Sequence, residues 1–230
     1  MDAIQLGLLE QVADLHGVPE GVYNIRSNGQ GIARNSTANI EIAPKQDKPG
    51  IDIIIKPGTK KESVHIPVVL SQSGLKDMVY NDFYVGEDAD VVIVAGCGIH
   101  NDGGADSQHD GIHRFFLGKN ARVKYIEKHY GEGTGTGERI LNPVTEVTLD
   151  EGSYMEMETV QIKGVNSTIR TTRGKLAADA KLIIHEKIMT DGAQTAETDC
   201  EVDLDGENSS ADVVSRSVAR GTSHQLFKSK

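Results

Sequence analysis

Gly86-Glu87-Asp88-Ala89-Asp90-Val91-Val92-Ile93-Val94 returns 32 residues later as Gly118-Lys119-Asn120-Ala121-Arg122-Val123-Lys124-Tyr125-Ile126. Each copy reads as a polar corner, one small residue, and a strand with apolar side chains on alternate positions. The pattern recurs as Glu151-Gly152-Ser153 before Met155-Glu156-Met157, and as Ala177-Ala178-Asp179-Ala180 before Leu182-Ile183-Ile184. It returns a last time as Gly206-Glu207-Asn208-Ser209-Ser210-Ala211 before Val213-Val214. The small residues at 89, 121, 153, 180 and 211 are spaced by 32, 32, 27 and 31. A period near thirty with strands and small corners predicts the coils of a β-solenoid, stacked through backbone ladders around aliphatic columns. A β-sandwich also alternates and also turns every ~8–12 residues. The repeat favours the solenoid and leaves the sandwich as its rival.

Working outward, Asp2 to Leu15 predicts a helix, with Ile4, Leu8, Val12 and Leu15 on one face, Asp2 as its cap and Gly17 as its stop. From Val22 the period becomes two, through Ile40–Ile42, Ile51–Ile55 and Val64–Leu70. The expected organisation is a helical segment over 1–21 and a β-solenoid domain over 22–230. The last strand-like run, His224–Phe227, is followed only by Lys228-Ser229-Lys230. Solenoids need a cap, so truncation at that end, or cover by a partner or second copy, is expected.

The composition narrows the function. A net charge of −10 argues against a nucleic-acid binder that works through phosphate contacts. No apolar run approaches the ~20 residues of a membrane span and no basic leader opens the chain, which points to the cytoplasm. Two cysteines are few for a disulfide-built secreted fold. Aromatics are 4% with no Trp, and Gly reaches 25, which suits stacked aliphatic residues with Gly at the bends.

The chemistry-bearing stretch is Ala95-Gly96-Cys97-Gly98-Ile99-His100, followed by Gln108-His109-Asp110-Gly111-Ile112-His113. Thiolates and imidazoles hold soft and borderline metals, so Cys97, His100, His109 and His113 are candidate ligands. The plainer reading of each is a packed thiol or a hydrogen-bonded histidine. His109 and His113 share a strand face but stand roughly 13 Å apart along it. A bend at Asp110-Gly111 is therefore expected if both reach one ion. Cys200 falls with Val202 and Leu204 on the inward face, opposite Asp199, Glu201, Asp203 and Asp205. Gly131-Glu132-Gly133-Thr134-Gly135-Thr136-Gly137 lacks the Gly-Lys-Ser/Thr ending of a phosphate loop, so it is expected to be a flexible loop. No nucleophile elbow or zinc-protease helix is present, and Ser215 with Ser217 reads as a structural hydroxyl ladder.

These segments, with His129-Tyr130-Gly131-Glu132-Gly133, Arg139-Ile140-Leu141-Asn142-Pro143, Glu201–Glu207 and Val214–Arg220, resemble the SufB/SufD family of iron–sulfur cluster assembly scaffolds. The match is nearest its short members. The resemblance implies a mainly β fold, a right-handed parallel β-helix with a short N-terminal helix. It implies a non-enzymatic scaffold that pairs through its β-helix ends, either with a second copy or with a SufB/SufD-type paralogue. It further implies a SufC-type ATPase partner, a cysteine desulfurase or other sulfur donor, and a transient iron–sulfur cluster or iron. Cys97 is the thiolate carried over, with His100, His109 and His113 as accompanying ligands. The family continues past residue 230 with a further Cys-bearing segment and terminal helices. Asn101-Asp102-Gly103-Gly104 lacks a second thiol that some short members have. Two rival readings are a single-metal zinc or iron enzyme built on the Cys97/His cluster, and a purely structural interaction module.

Overall fold

A computed structural model describes residues 1–230. One helix, α1 (Ala3–Ala13), precedes seventeen strands. They are β1 (Val22–Ser27), β2 (Gln30–Asn35), β3 (Ile40–Pro44), β4 (Gly50–Ile55), β5 (Lys60–Leu70), β6 (Lys76–Val85), β7 (Asp90–His100), β8 (Ser107–Leu117) and β9 (Arg122–Glu132). Then follow β10 (Arg139–Leu141), β11 (Val144–Leu149), β12 (Tyr154–Lys163), β13 (Ser167–Leu176), β14 (Lys181–Thr190), β15 (Thr195–Leu204), β16 (Ser210–Ala219) and β17 (His224–Ser229).

Strands fall alternately into two sheets, in the order β2-β1-β5-β7-β9-β12-β14-β16 and β3-β4-β6-β8-β10-β13-β15-β17. Every pairing is parallel except β1 with β2 and β3 with β4. This is a β-solenoid of about six turns, closed at its first coil by the antiparallel strands β2 and β3. A sandwich of antiparallel strands is thereby excluded. Asn142-Pro143 splits one strand into β10 and β11, both paired with β8 and β13, because proline cannot donate to a ladder.

The corners explain the repeat. Asp88, Asn120, Gly152, Asp179 and Asn208 all have positive φ, between 55° and 68°. Each is followed by a small residue: Ala89, Ala121, Ser153, Ala180 and Ser209. Its N–H donates back three residues, as from Ala121 to the Gly118 carbonyl. Asn, Asp and Gly tolerate the left-handed region best, and a larger following side chain would crowd the corner. The register places Ala211 opposite Leu182, so the true counterpart of Ala180 is Ser209 and the last repeat is 29 residues, not 31. A run of small residues at 209–211 hid the frame.

Inside, Val64, Ile93, Tyr125, Met157, Ile184 and Val213 stack in one column. Phe83 lies on Phe115 with ring centroids 4.3 Å apart and planes within 3°. The few aromatics are thus spent in the middle coils of the core, beside the aliphatic columns.

Helix α1 docks outside the coils. Asp2 caps it through Gln5 in a reciprocal capping box. It stops at Asp14, which takes the left-handed conformation and donates to the Glu10 carbonyl, three residues before the expected Gly17. Leu8, Leu9 and Val12 are fully buried, whereas Ile4 is 40% exposed. The helix rests on Gly96 and Gly98, which face outward from β7. A β-carbon at Gly96 would lie 2.6 Å from the Val12 carbonyl oxygen, and one at Gly98 would lie 3.1 Å from Leu8 Cβ. The glycines around Cys97 therefore make room for the helix on one face, while Cys97 points into the lumen on the other.

The glycine-rich segment is a stacked corner and not the flexible loop expected. Gly135 and Gly137 donate to the carbonyls of Asn101 and Gly103 in the preceding coil. β-Carbons at Gly133, Gly135 and Gly137 would come within 2.2–2.3 Å of backbone oxygens of that coil. Only glycine permits so close a backbone approach.

Candidate functional site

Parallel stacking turns sequence spacing into contact. Cys97 on β7 is in register with His129 on β9, and Ala95 with Glu127. On the facing sheet, His109 on β8 is in register with Asp77 on β6, and His113 with Asn81. Odd-numbered positions of these strands point inward, so two opposed rows meet across the lumen. Cys97, His109, Gly111, His113, Glu127 and His129 line a cavity of about 20 Å³. That is room for about one water-sized sphere.

Strand β8 runs straight through this region, and no bend brings the two histidines together. Both rings lean over Gly111 instead. A β-carbon there would lie 3.1 Å from His113 Nε2 and 3.4 Å from His109 Nε2. The missing side chain, not a turn, removes the 13 Å spacing problem.

Hydrogen bonds fix the proton positions. Glu127 accepts from the Tyr125 hydroxyl at 2.9 Å, so the Tyr125 oxygen accepts from His113 Nδ1 at 2.7 Å. His109 Nδ1 donates to Asp77 at 3.1 Å, and Asp77 also accepts from Arg26. Each ring therefore carries its proton on Nδ1 and presents the Nε2 lone pair toward Gly111. His129 is the opposite tautomer. Arg170 can only donate, and it meets His129 Nδ1 at 3.3 Å, which leaves the proton on Nε2, 3.7 Å from Glu127.

Charge follows from burial and partners. Burial works to raise the Glu127 carboxyl, but its contacts with His129 and Arg170 outweigh that and hold it well below the ordinary range. Burial pushes the Cys97 thiol well above its usual value, and Asp77, Glu127 and Asp110 add to the rise. Burial lowers His113 to about 4. At neutral pH the pocket therefore holds a thiol and neutral imidazoles beside ionised carboxylates.

The polar row continues along the lumen. Arg170 pairs with Glu127 at 2.5 Å and with Glu186 at 3.4 Å, and Glu186 accepts from Thr198 and Ser215. Ser215 thus serves an internal carboxylate, not a hydroxyl ladder. The Gln161 amide and Thr159 hydroxyl, in register with His129 and Glu127, are buried without a protein partner. Cys200 lies away from this row, in the apolar core.

His100 does not join the other candidates. It lies on the outer face of β7, opposite to Cys97, between Asp102 at 2.8 Å and Glu132 at 3.2 Å. An odd spacing of three on a strand dictates this. A single-ion site made from all four candidates is therefore not formed. The structure adds Asp77, Tyr125, Glu127, His129 and Arg170 to the pocket. His129 is 32 residues after Cys97, the same interval as the repeat, and that interval was the signal that could have found it. The one trio with ligand atoms within 4.8 Å of one another is Glu156, Glu158 and His185 on the outer surface, where Lys124 already sits 3.4–3.5 Å from both carboxylates.

Residues 81–230 match the family model described as the SUF system FeS cluster assembly SufBD core domain. An iron–sulfur cluster assembly SufBD family protein of Archaeoglobus fulgidus is 26% identical over 183 residues, covering 78% of this chain and 47% of that protein. The chain spans about half the length of the curated relative it matches. No helix is long and apolar enough to cross a membrane.

Proposed function

This chain belongs to the SufBD core-domain family of the SUF system, and from that premise we propose that it is a non-enzymatic scaffold subunit for iron–sulfur cluster assembly. It works in the cytoplasm with a SufC-type ABC ATPase and receives sulfur from a desulfurase or equivalent donor. It pairs through its coil ends with a second copy or a paralogue. Cys97, with His109 and His113, is where the building material is first held. The observation that supports this most is the pocket itself. A buried thiol faces two imidazole lone pairs, in a lumen otherwise built of apolar columns. Burying so many polar groups is costly for a chain that needs only a core.

Co-purification with the SufC-type ATPase, followed by anaerobic reconstitution with iron and sulfide, tests the proposal. A cluster absorption band that depends on Cys97, together with capture of the ATPase, is the expected result. Capture without any cluster and with Cys97→Ala silent would favour a purely structural module. His100 takes no part in this proposal, because its ring is on the far side of the strand.

A further inference from the structure

We propose that the lumen pocket accepts a single divalent iron ion, before any sulfide, with His109 Nε2, His113 Nε2 and Cys97 Sγ as its ligands. This deepens the scaffold reading above and rests on it for the choice of iron. Three independent observations carry it.

The first is size. The cavity of about 20 Å³ admits one atom-sized guest, and neither a cluster nor an incoming persulfide chain fits it. The second is ligand preparation. Both Nε2 lone pairs are freed by partners on the far ring nitrogen, Asp77 for His109 and Tyr125 for His113. Such outer partners orient metal-binding imidazoles and raise their basicity. Lone pairs converging on one point suit a cation.

The third is charge. The lumen carries two guanidinium groups, Arg26 and Arg170, against three carboxylates, Asp77, Glu127 and Glu186. The balance is one negative charge. Binding through the Cys97 thiolate, with its proton released to the buffer, makes the balance two, which a divalent ion cancels. Buried charge requires compensation, and a monovalent ion would leave one charge over. Nitrogen and sulfur donors together suit ferrous iron and zinc rather than magnesium or calcium. The three ligand atoms are not all within 4.8 Å of one another. The ion draws them inward, and the absent side chain at Gly111 leaves the rings free to tilt.

The test is anaerobic equilibrium dialysis of the full chain against Fe²⁺ with no sulfide present, with Co²⁺ as a spectroscopic probe. One Fe²⁺ per chain is expected. His109→Ala/His113→Ala should weaken binding at least tenfold. Cys97→Ser should abolish the thiolate-to-cobalt charge-transfer band. Tyr125→Phe, which removes only the hydroxyl behind His113, should weaken binding about tenfold. Gly111→Ala, which keeps all ligands but fills the space between the rings, should do the same and guards against loss of fold in the double variant. Absence of Fe²⁺ binding without sulfide, or binding indifferent to the histidine substitutions, overturns the inference. If a cluster still forms and the ATPase is still captured in that case, the scaffold reading stands alone. If iron binds as described but neither of those occurs, the scaffold reading fails and this one stands.

Discussion

Glu127 and Arg170 form an ion pair at 2.5 Å inside the solenoid, one from each sheet, and each side chain is less than 5% exposed. Arg170 also reaches Glu186, so one guanidinium serves two buried carboxylates.

Removing that cation leaves two buried negative charges without a partner. Arg170→Met is expected to destabilise the chain by about 3–5 kcal/mol. Glu127→Gln/Arg170→Met should cost less than the two single changes together. Urea unfolding of the three variants measures both values, and additive losses would show that the pair is not coupled.

Gly96 separates the pocket strand from α1. Gly96→Ala places a methyl group 2.6 Å from the Val12 carbonyl oxygen and 2.8 Å from that of Lys128. Backbone atoms cannot step aside, so a loss of about 1–3 kcal/mol is expected from overpacking. The helix should also lift. Hydrogen exchange over residues 3–13 should quicken in Gly96→Ala, while the lumen strands keep their protection.

The corner at Asn120 tests the origin of the repeat. Its φ is 55°. Asn120→Ala should cost about 1 kcal/mol, because a β-carbon without a compensating polar group is disfavoured in the left-handed region. Asn120→Gly should be neutral or slightly stabilising. Equal losses in the two thermal melts would refute the conformational explanation.

His100 gives the outer surface a pH dependence. Burial disfavours its charged ring, but hydrogen bonds to Asp102 and Glu132 outweigh that and raise its pKa above 6.5. The stabilisation is complete below the unfolded value of about 6.5 and is lost as pH rises through the higher folded value. Asp102, held at about 2 chiefly by the Thr134 N–H, with His100 adding, behaves oppositely. Its contribution disappears as pH falls from 3.8 through 2. Amide exchange in 101–105 and 133–137, corrected for its intrinsic pH dependence, should increase as His100 deprotonates. His100→Gln should flatten that response.

The solenoid was legible because its corners demand special residues. An Asp, Asn or Gly in the left-handed region followed by a small side chain leaves a mark at every turn. Where the mark was smeared, as at Ser209-Ser210-Ala211, the frame slipped by two residues. The end of α1 was misplaced because Asp14, not a glycine, takes the left-handed cap.

The sequence by itself determined the coil period, the inward face of each strand and the clustering of Cys97, His109 and His113, since alternation and stacking are local rules. Only the tertiary structure decided that Gly111 is a space rather than a bend. It alone put His100 outside and brought Asp77, Tyr125, Glu127, His129 and Arg170 to the pocket. Those residues meet through registers between coils, and a register depends on the length of every intervening corner, which no single stretch of chain reveals.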